Sequence, residues 1–162
     1  MTAFAGESQA NRKYLAYAEK AEKDGFLQIA KVFRAAAVAE SIHAQNHFRT
    51  GGHVNNTVEN LIDAISGEHY EFTSMYPDFL TMAIQEGNKK AEKSFHWANE
   101  VEKMHHRLYT EALSVAKSEK DLEEKEMWVC SICGATFEGN HEDLEEICPV
   151  CQTKKDKYIK ID

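Results

Sequence analysis

Proline, glycine and long apolar runs are scarce in this sequence of 162 residues, and basic residues are fewer than acidic ones. With two prolines, eight glycines, 43% hydrophobic and 28% charged residues, the chain has the composition of a folded protein, which excludes disorder over most of its length. Nineteen Lys and Arg against 27 Asp and Glu give a formal net charge of -8, so we expect no nucleic-acid partner. No eighteen apolar residues run together, and the N-terminus lacks the basic start and apolar stretch of a secretory signal. We therefore expect a cytoplasmic protein with no membrane partner.

Cysteine is absent from the first 129 residues and occurs four times after them. The four residues form two C-x-x-C pairs separated by fourteen residues: Cys130, Cys133, Cys148 and Cys151. Such pairs bring four thiolates to the corners of one tetrahedron, which suits zinc or a single iron. Two disulfides would use the same residues, but a reducing compartment disfavours them. A segment of about 36 residues is too short for a self-sufficient core, so we predict that a metal holds it together.

The rest of the chain has helical composition and divides at a few glycines. Breaks at residues 24–25, 51–52 and 87–88 predict four helices over residues 3–23, 26–50, 57–86 and 89–118. We predict a kink in the third helix after Tyr76, because Pro77 lacks a backbone donor. The expected fold is an all-α four-helix bundle over residues 1–118, a charged linker over 119–127 and a small metal-binding β module over 128–162.

A bundle of this kind binds two metals when two helices each supply a Glu and the other two each supply a Glu-x-x-His. The triplet occurs three times, at residues 40–43, 102–105 and 138–141, and the last lies in the cysteine segment, so spacing alone is weak evidence. The distance of each residue from the turn between its two helices is an independent test of whether the residues meet. Glu7 and Glu40 both lie roughly 24 Å from the first turn at ~1.5 Å per residue, and Glu71 and Glu102 are likewise level about the second.

Unless several of the glutamates are ordinary surface residues, seven side chains are thus predicted to converge on one level of the bundle: Glu7, Glu40, His43, Glu68, Glu71, Glu102 and His105. Five buried carboxylates without cations would cost several kcal/mol each, so two divalent metals are the natural complement. Helical angle alone does not distinguish His105 from His106. Tyr14 and Tyr76 are either core aromatics or donors to the ligand carboxylates.

The chain resembles the rubrerythrin family from Phe4 to its C-terminus. Four motifs carry the resemblance, namely AGESQ at 5–9, AESIHA at 39–44, GEHYE at 67–71 and VEKMH at 101–105. The tail is similar to rubredoxin, with C-x-x-C-G and C-P-x-C knuckles, although Gln152 stands where a second glycine is usual. The resemblance implies a ferritin-like bundle, favours His105 over His106, and favours iron over zinc at the four cysteines.

By this resemblance, two non-haem irons in the bundle reduce hydrogen peroxide to water, and the cysteine-bound iron returns electrons from an external NAD(P)H-dependent reductase or a rubredoxin. Glu40 and Glu102 would bridge the irons. The terminal ligands would be Glu7, Glu68, Glu71 and His105, with His43 and Glu71 alternating on one iron. An iron-storage or ferroxidase protein and a zinc-ribbon interaction protein remain the alternative functions.

Chain length predicts a particular assembly. A ferritin-like connection between the second and third helices must return roughly 30 Å along the bundle, but residues 51–56 reach only ~20 Å at full stretch. We therefore predict a helix-swapped homodimer in which each metal site combines the first two helices of one chain with the last two of the other.

Overall fold

The computed structural model describes all 162 residues and divides them into two compact units, unit 1 (Met1–Asn55) and unit 2 (Asn56–Asp162). Unit 1 consists of α1 (Thr2–Lys23) and α2 (Leu27–Thr50). Gly25 lies in the turn between them with a φ of +84°, a left-handed conformation that glycine adopts without strain. The helix break predicted at residues 24–25 is therefore confirmed.

The two helices of unit 1 run antiparallel and pack through small residues. The ring of Phe4, near the start of α1, lies 4.7 Å from that of Phe48, near the end of α2. Midway along the pair, Asn11 Nδ2 donates a hydrogen bond of 2.7 Å to the backbone oxygen of Ala37. The buried residues of the two helices are all alanines: Ala18, Ala21, Ala30, Ala37 and Ala44.

Unit 2 begins with a helical segment that the sequence predicts as one helix. The structure divides it into α3 (Thr57–Tyr70), a π-helical turn (Glu71–Met75) and α4 (Tyr76–Gln85). Pro77 has no N–H to continue the α-helical hydrogen-bond pattern, and the wider turn precedes it. The prediction of a single helix over residues 57–86 is therefore corrected to three segments. The hydrogen-bond pattern changes before Tyr76, whereas the sequence predicts a change after it.

The long helix α5 (Lys89–Ala116) packs against both α3 and α4. Asn side chains begin two of these helices: Asn56 accepts from the N–H of Glu59 at α3, and Asn88 accepts from the N–H of Ala91 at α5. No helix of the chain combines the length and the apolar character needed to cross a bilayer.

The C-terminal part of unit 2 is a three-stranded antiparallel sheet with strand order β2-β1-β3. The strands are β1 (Met127–Cys130), β2 (Thr136–Glu138) and β3 (Tyr158–Ile161). The module shares its small core with α5, because Val101 of that helix is buried with Cys130, Ala135, Cys148 and Tyr158. Gly134 has a φ of +86°, as its place after the first cysteine pair predicts.

Gln152 occupies the corresponding left-handed position after the second cysteine pair, with a φ of +63°. We expect Gln152→Gly to raise the free energy of unfolding of the module by about 0.5–1 kcal/mol, because relief of a left-handed non-glycine residue exceeds the entropy cost of glycine. Thermal unfolding of the metal-loaded protein measures this. Gln152→Ala is the matched control, since it keeps the Cβ and the strain, and equal stabilisation by both variants would contradict the argument.

Candidate metal centres

The four cysteines converge in the strand module. Cys130 and Cys148 are buried, Cys133 and Cys151 are half-buried, and the four Sγ atoms all lie within 4.8 Å of one another. The Sγ–Sγ distance is 3.6 Å from Cys133 to Cys148 and 3.7 Å from Cys130 to Cys151, far beyond the ~2.05 Å of a disulfide. All four thiols are free, so the structure does not contain the disulfides weighed as an alternative.

Backbone amides of the second cysteine pair are directed at sulfur. Burial by itself would raise the pKa of the Cys148 thiol, but the N–H groups of Cys151 and Val150 donate to it, and its pKa is lowered. Burial raises the pKa of Cys133 and of Cys151, which also face neighbouring sulfurs. Because four thiolates at this spacing repel one another without a cation, this donor set fits a tetrahedral metal bound by four sulfurs.

A first carboxylate–histidine group lies within unit 1. Glu7 of α1 joins Glu40 and His43 of α2, with ligand atoms all within 4.8 Å of one another. His43 Nδ1 lies 3.0 Å from Glu40 Oε2, as the i, i+3 spacing predicts. The two carboxylates are half-buried, whereas 54% of the His43 side chain is exposed.

A second group of the same chemistry lies within unit 2. It joins Glu68 of α3 with Glu102 and His105 of α5, again with ligand atoms within 4.8 Å of one another. His105 Nδ1 lies 2.7 Å from Glu102 Oε2 and 3.9 Å from Glu68 Oε1. Glu102 is the most enclosed of these side chains, with 14% of its surface exposed. Glu71 opens the π-helical turn beside this group but is not one of its three members.

In unit 2, the negative charge of one carboxylate makes ionisation of its neighbours less favourable. Burial and, after it, the charge of Glu102 raise the pKa of Glu68 to about 7, although His105 opposes the shift. The same two causes raise the pKa of Glu71. The pKa of His105 is raised chiefly by its hydrogen bond to Glu102. A divalent cation would supply the positive charge that this cluster lacks.

We expect the metal-free protein to lose stability as the pH rises from about 4.5 to 7. Folded Glu68 holds a proton that the unfolded chain releases near its ordinary pKa of 4.5, so the contribution is complete below 4.5 and lost as the pH passes through about 7. Urea unfolding across this range, after chelation, should show a shallower decline for Glu68→Gln. Asp63→Asn, at an exposed site on the same helix, is the control, and an unchanged slope in Glu68→Gln would contradict the assignment.

A residue that the sequence does not reveal connects the two kinds of site. Thr136 of β2 donates its hydroxyl hydrogen to the backbone oxygen of Gly134 at 3.1 Å. Its oxygen therefore accepts from the Nε2–H of His105, 3.1 Å away. With one proton held on Nε2, Nδ1 is the nitrogen that would bind a metal, after giving up the proton that it donates to Glu102. The partners are 31 positions apart, and no spacing rule brings them together.

Tyrosines also surround the unit 2 group. Burial and then the charge of Glu71 raise the pKa of Tyr76, so its hydroxyl remains protonated at neutral pH and is available to donate. Tyr109, which the sequence analysis missed, has its pKa raised by burial and then by Glu68 and Glu102. In unit 1, the ring of Tyr14 lies 6.3 Å from those of Tyr17 and Phe33.

The remaining histidines that the sequence analysis weighed lie apart from these groups. His106 packs among rings, 5.6 Å from His69 and 5.3 Å from Phe72. In the third Glu-x-x-His triplet, Glu138 pairs with Arg107 and Lys125, while His141 packs on Trp128. None of these residues belongs to a metal-ligating group of the structure.

Comparison with known proteins identifies both parts of the chain. The family model described as rubrerythrin matches residues 1–113, and the model described as the rubredoxin-like domain of rubrerythrin matches residues 128–159. Rubrerythrin-2 of Clostridium acetobutylicum is 38% identical over 171 residues, covering 97% of this chain and 91% of that protein. Rubrerythrin of Nitratidesulfovibrio vulgaris is 34% identical over 173 residues, covering 96% and 88%.

A solved structure gives the same result. The fully reduced, all-ferrous state of nigerythrin is similar to this chain with a TM-score of 0.60 and 32% sequence identity, covering 99% of this chain and 83% of that one. The fold class is confirmed: a ferritin-like helical domain followed by a small strand module with four cysteines. The cysteines are grouped as for a rubredoxin-like iron site, and the carboxylate and histidine groups are those of a diiron centre.

Proposed function

This chain belongs to the rubrerythrin family, and from that premise we propose that it is a peroxidase that reduces hydrogen peroxide to water. The observation that supports this most is the hydrogen bond from His105 to Thr136, which links a carboxylate–histidine group to the cysteine module within unit 2. An iron-storage or ferroxidase protein would have no evident use for that module. The predicted division into residues 1–118, 119–127 and 128–162 is retained as part of the proposal.

We assign the two metal-binding groups different tasks. When bound, the irons of the diiron centre supply two electrons to the oxygen–oxygen bond of hydrogen peroxide, which takes up two protons to give two waters, and the cysteine-bound iron supplies the replacement electrons singly. Four sulfur ligands leave no position for a substrate, whereas carboxylates change position and leave sites vacant. Electrons would enter at the half-buried Cys133 and Cys151 from a reductase that uses NADH or NADPH, or from a rubredoxin.

The carboxylates and histidines would divide the binding of the two irons among them. In this proposal Glu40 and Glu102 would be shared by the two irons, and His43 and Glu71 would be alternative ligands in the two redox states. Two observations are compatible with such an exchange. The His43 side chain is exposed, and Glu71 lies beside the unit 2 group without being one of its three members. The terminal ligands are Glu7, Glu68, Glu71 and His105. Tyr14 and Tyr76 would donate hydrogen bonds to ligand carboxylates.

The decisive experiment for the reaction is anaerobic stopped-flow spectroscopy of the fully reduced, iron-loaded protein. We expect oxidation by hydrogen peroxide to be faster than oxidation by dioxygen. A faster response to dioxygen would favour the ferroxidase function instead. Protein that binds only zinc and stays colourless would favour a zinc-ribbon interaction protein.

We further propose that the diiron centre forms in a helix-swapped homodimer, with unit 1 of one chain beside unit 2 of the other. Each unit by itself holds three of the ligands in one group. Exposed apolar side chains occur along α2 outside its buried alanines, which is a surface that a second chain would cover: Ile29, Val32, Val38 and Ile42.

Mixing two inactive variants distinguishes the assemblies. Glu40→Ala and Glu102→Ala should each lack the diiron centre. In a swapped heterodimer of the two, one site carries both substitutions and the other carries neither, so co-refolded protein should recover diiron loading. Failure of the mixture to bind more iron than either variant alone would contradict the swap.

A further inference from the structure

The hydroxyl of Tyr158 is buried beside the cysteine cluster, close to Cys148, and makes no hydrogen bond of normal geometry in the protein. Tyr158 begins β3 and is 8% exposed, and its hydroxyl oxygen is inaccessible to solvent. Buried tyrosine hydroxyls are normally paired, because leaving one unpaired sacrifices its hydration without a replacement. A phenylalanine would fill the same space without this cost, so the hydroxyl itself calls for an explanation.

The groups that act electrostatically on this hydroxyl are cysteine sulfurs. Tyr158 pairs with Cys130 across the β1–β3 ladder and shares a buried core with Cys130 and Cys148. Its ring stacks on Phe137 at 4.9 Å, which fixes the direction of the hydroxyl. Burial raises the pKa of Tyr158, and the charges that raise it further are those of Cys148, Cys130 and Cys151. A tyrosine hydroxyl is ordinarily neutral at physiological pH, so it can donate its hydrogen to one of these sulfurs.

We propose that Tyr158 donates an O–H···S hydrogen bond to Cys148 when the four thiolates hold iron, and that this bond raises the reduction potential of the site. The proposal rests on the proposed function, in which the cysteine-bound iron transfers electrons. Four thiolates with a ferric ion carry a net charge of -1, and with a ferrous ion -2. A donor to sulfur therefore stabilises the reduced state more than the oxidised state.

The Tyr158 hydroxyl would be a further hydrogen-bond donor to Cys148, beside the backbone donors of the second cysteine pair. The N–H groups of Cys151 and Val150 act on Cys148 from the backbone and are independent of the side chain at position 158. Tyr158 thus acts through a ligand and is a positioning residue for the electron-transfer site. Removing its hydroxyl should leave iron bound while changing the ease with which it is reduced.

The test is a redox titration of the full-length, iron-loaded protein, followed by the visible absorption of the ferric site. In Tyr158→Phe we expect the ferrous-to-ferric ratio at a fixed solution potential to fall about tenfold, a shift of roughly 59 mV to lower potential for one electron. Tyr70→Phe, on an exposed side chain of α3, should leave the potential unchanged. An unchanged potential in an iron-bound Tyr158→Phe variant would overturn the proposal.

A second measurement should raise the reduction potential of the cysteine-bound iron, whereas Tyr158→Phe should lower it. Replacing all six tyrosines with 3-fluorotyrosine makes each phenol a stronger donor, so the potential should rise in the natural sequence and not in Tyr158→Phe. Equal rises in both proteins would also overturn the proposal. Because no peroxide is used, these results are separate from the peroxidase test. A natural protein without an iron–thiolate spectrum would instead refute the proposed electron-transfer site and this inference together.

Discussion

Cys148→Ala is expected to abolish peroxide reduction driven by NADH and a reductase, with a loss of roughly 100-fold or more, and to remove the red colour of the iron–thiolate site. Cys148 is buried in the small core of the strand module, and its sulfur accepts hydrogen bonds from two backbone N–H groups. A missing ligand should therefore remove the cysteine-bound iron, which is the proposed electron-transfer site, together with much of the folding free energy of the strands. Coupled NADH consumption and visible spectroscopy measure the two effects.

The same variant separates electron delivery from the reaction with peroxide. We expect a single turnover of the chemically reduced diiron centre to survive in Cys148→Ala at a lower rate, because Glu68, Glu102 and His105 are supplied by helices but a destabilised module holds His105 less firmly through Thr136. Ser131→Ala, an exposed change within the first cysteine pair, should preserve both activities. Reductase-driven turnover at the natural rate in Cys148→Ala would show that electrons do not pass through the cysteines.

Glu102→Gln is expected to give the second large effect, a loss of about 100-fold or more in both reductase-driven and single-turnover peroxide reduction. Glu102 lies closest to His105 and contributes charge to Glu68 and Glu71, so its carboxylate is central to the unit 2 group. The amide keeps the shape but lacks the negative charge that the proposed bridging carboxylate would provide. Iron content should fall from about three to about one per chain, with the red colour retained.

Glu111→Gln is the matched control for this change, because Glu111 lies on the same helix but is largely exposed and pairs with Arg107. It should bind as much iron as the natural protein and react with peroxide at the same rate. A Glu102→Gln variant with a full complement of iron would remove this carboxylate from the proposed ligands.

The sequence predicts the parts of this protein that depend on short-range periodicity. Glu40 and His43, like Glu102 and His105, meet because residues three apart share a helix face. Glu7 and Glu40 meet because the turn at Gly25 fixes the register of two straight helices. The cysteines meet because each C-x-x-C pair is a turn whose spacing limits where its sulfurs point.

Spacing along the sequence does not predict features that depend on contacts between distant segments. The π-helical turn Glu71–Met75 arises from one changed hydrogen bond, from the N–H of Tyr76 to the oxygen of Glu71, which composition does not encode. The unpaired hydroxyl of Tyr158 depends on the packing of β3 against the cysteines. Gln152 is the exception, since its departure from glycine is visible in the sequence and its φ of +63° lies in the left-handed region that favours glycine.

The hydrogen bond between His105 and Thr136 bears on how this protein should be dissected in the laboratory. Truncation before Met127 is the obvious way to obtain the helical part alone, yet it would deprive the imidazole of its support and let the ring rotate. Kinetic constants from such a fragment would describe a rearranged centre, and any deficit would be attributed wrongly to missing electron supply. Point substitutions in the intact polypeptide are the safer route.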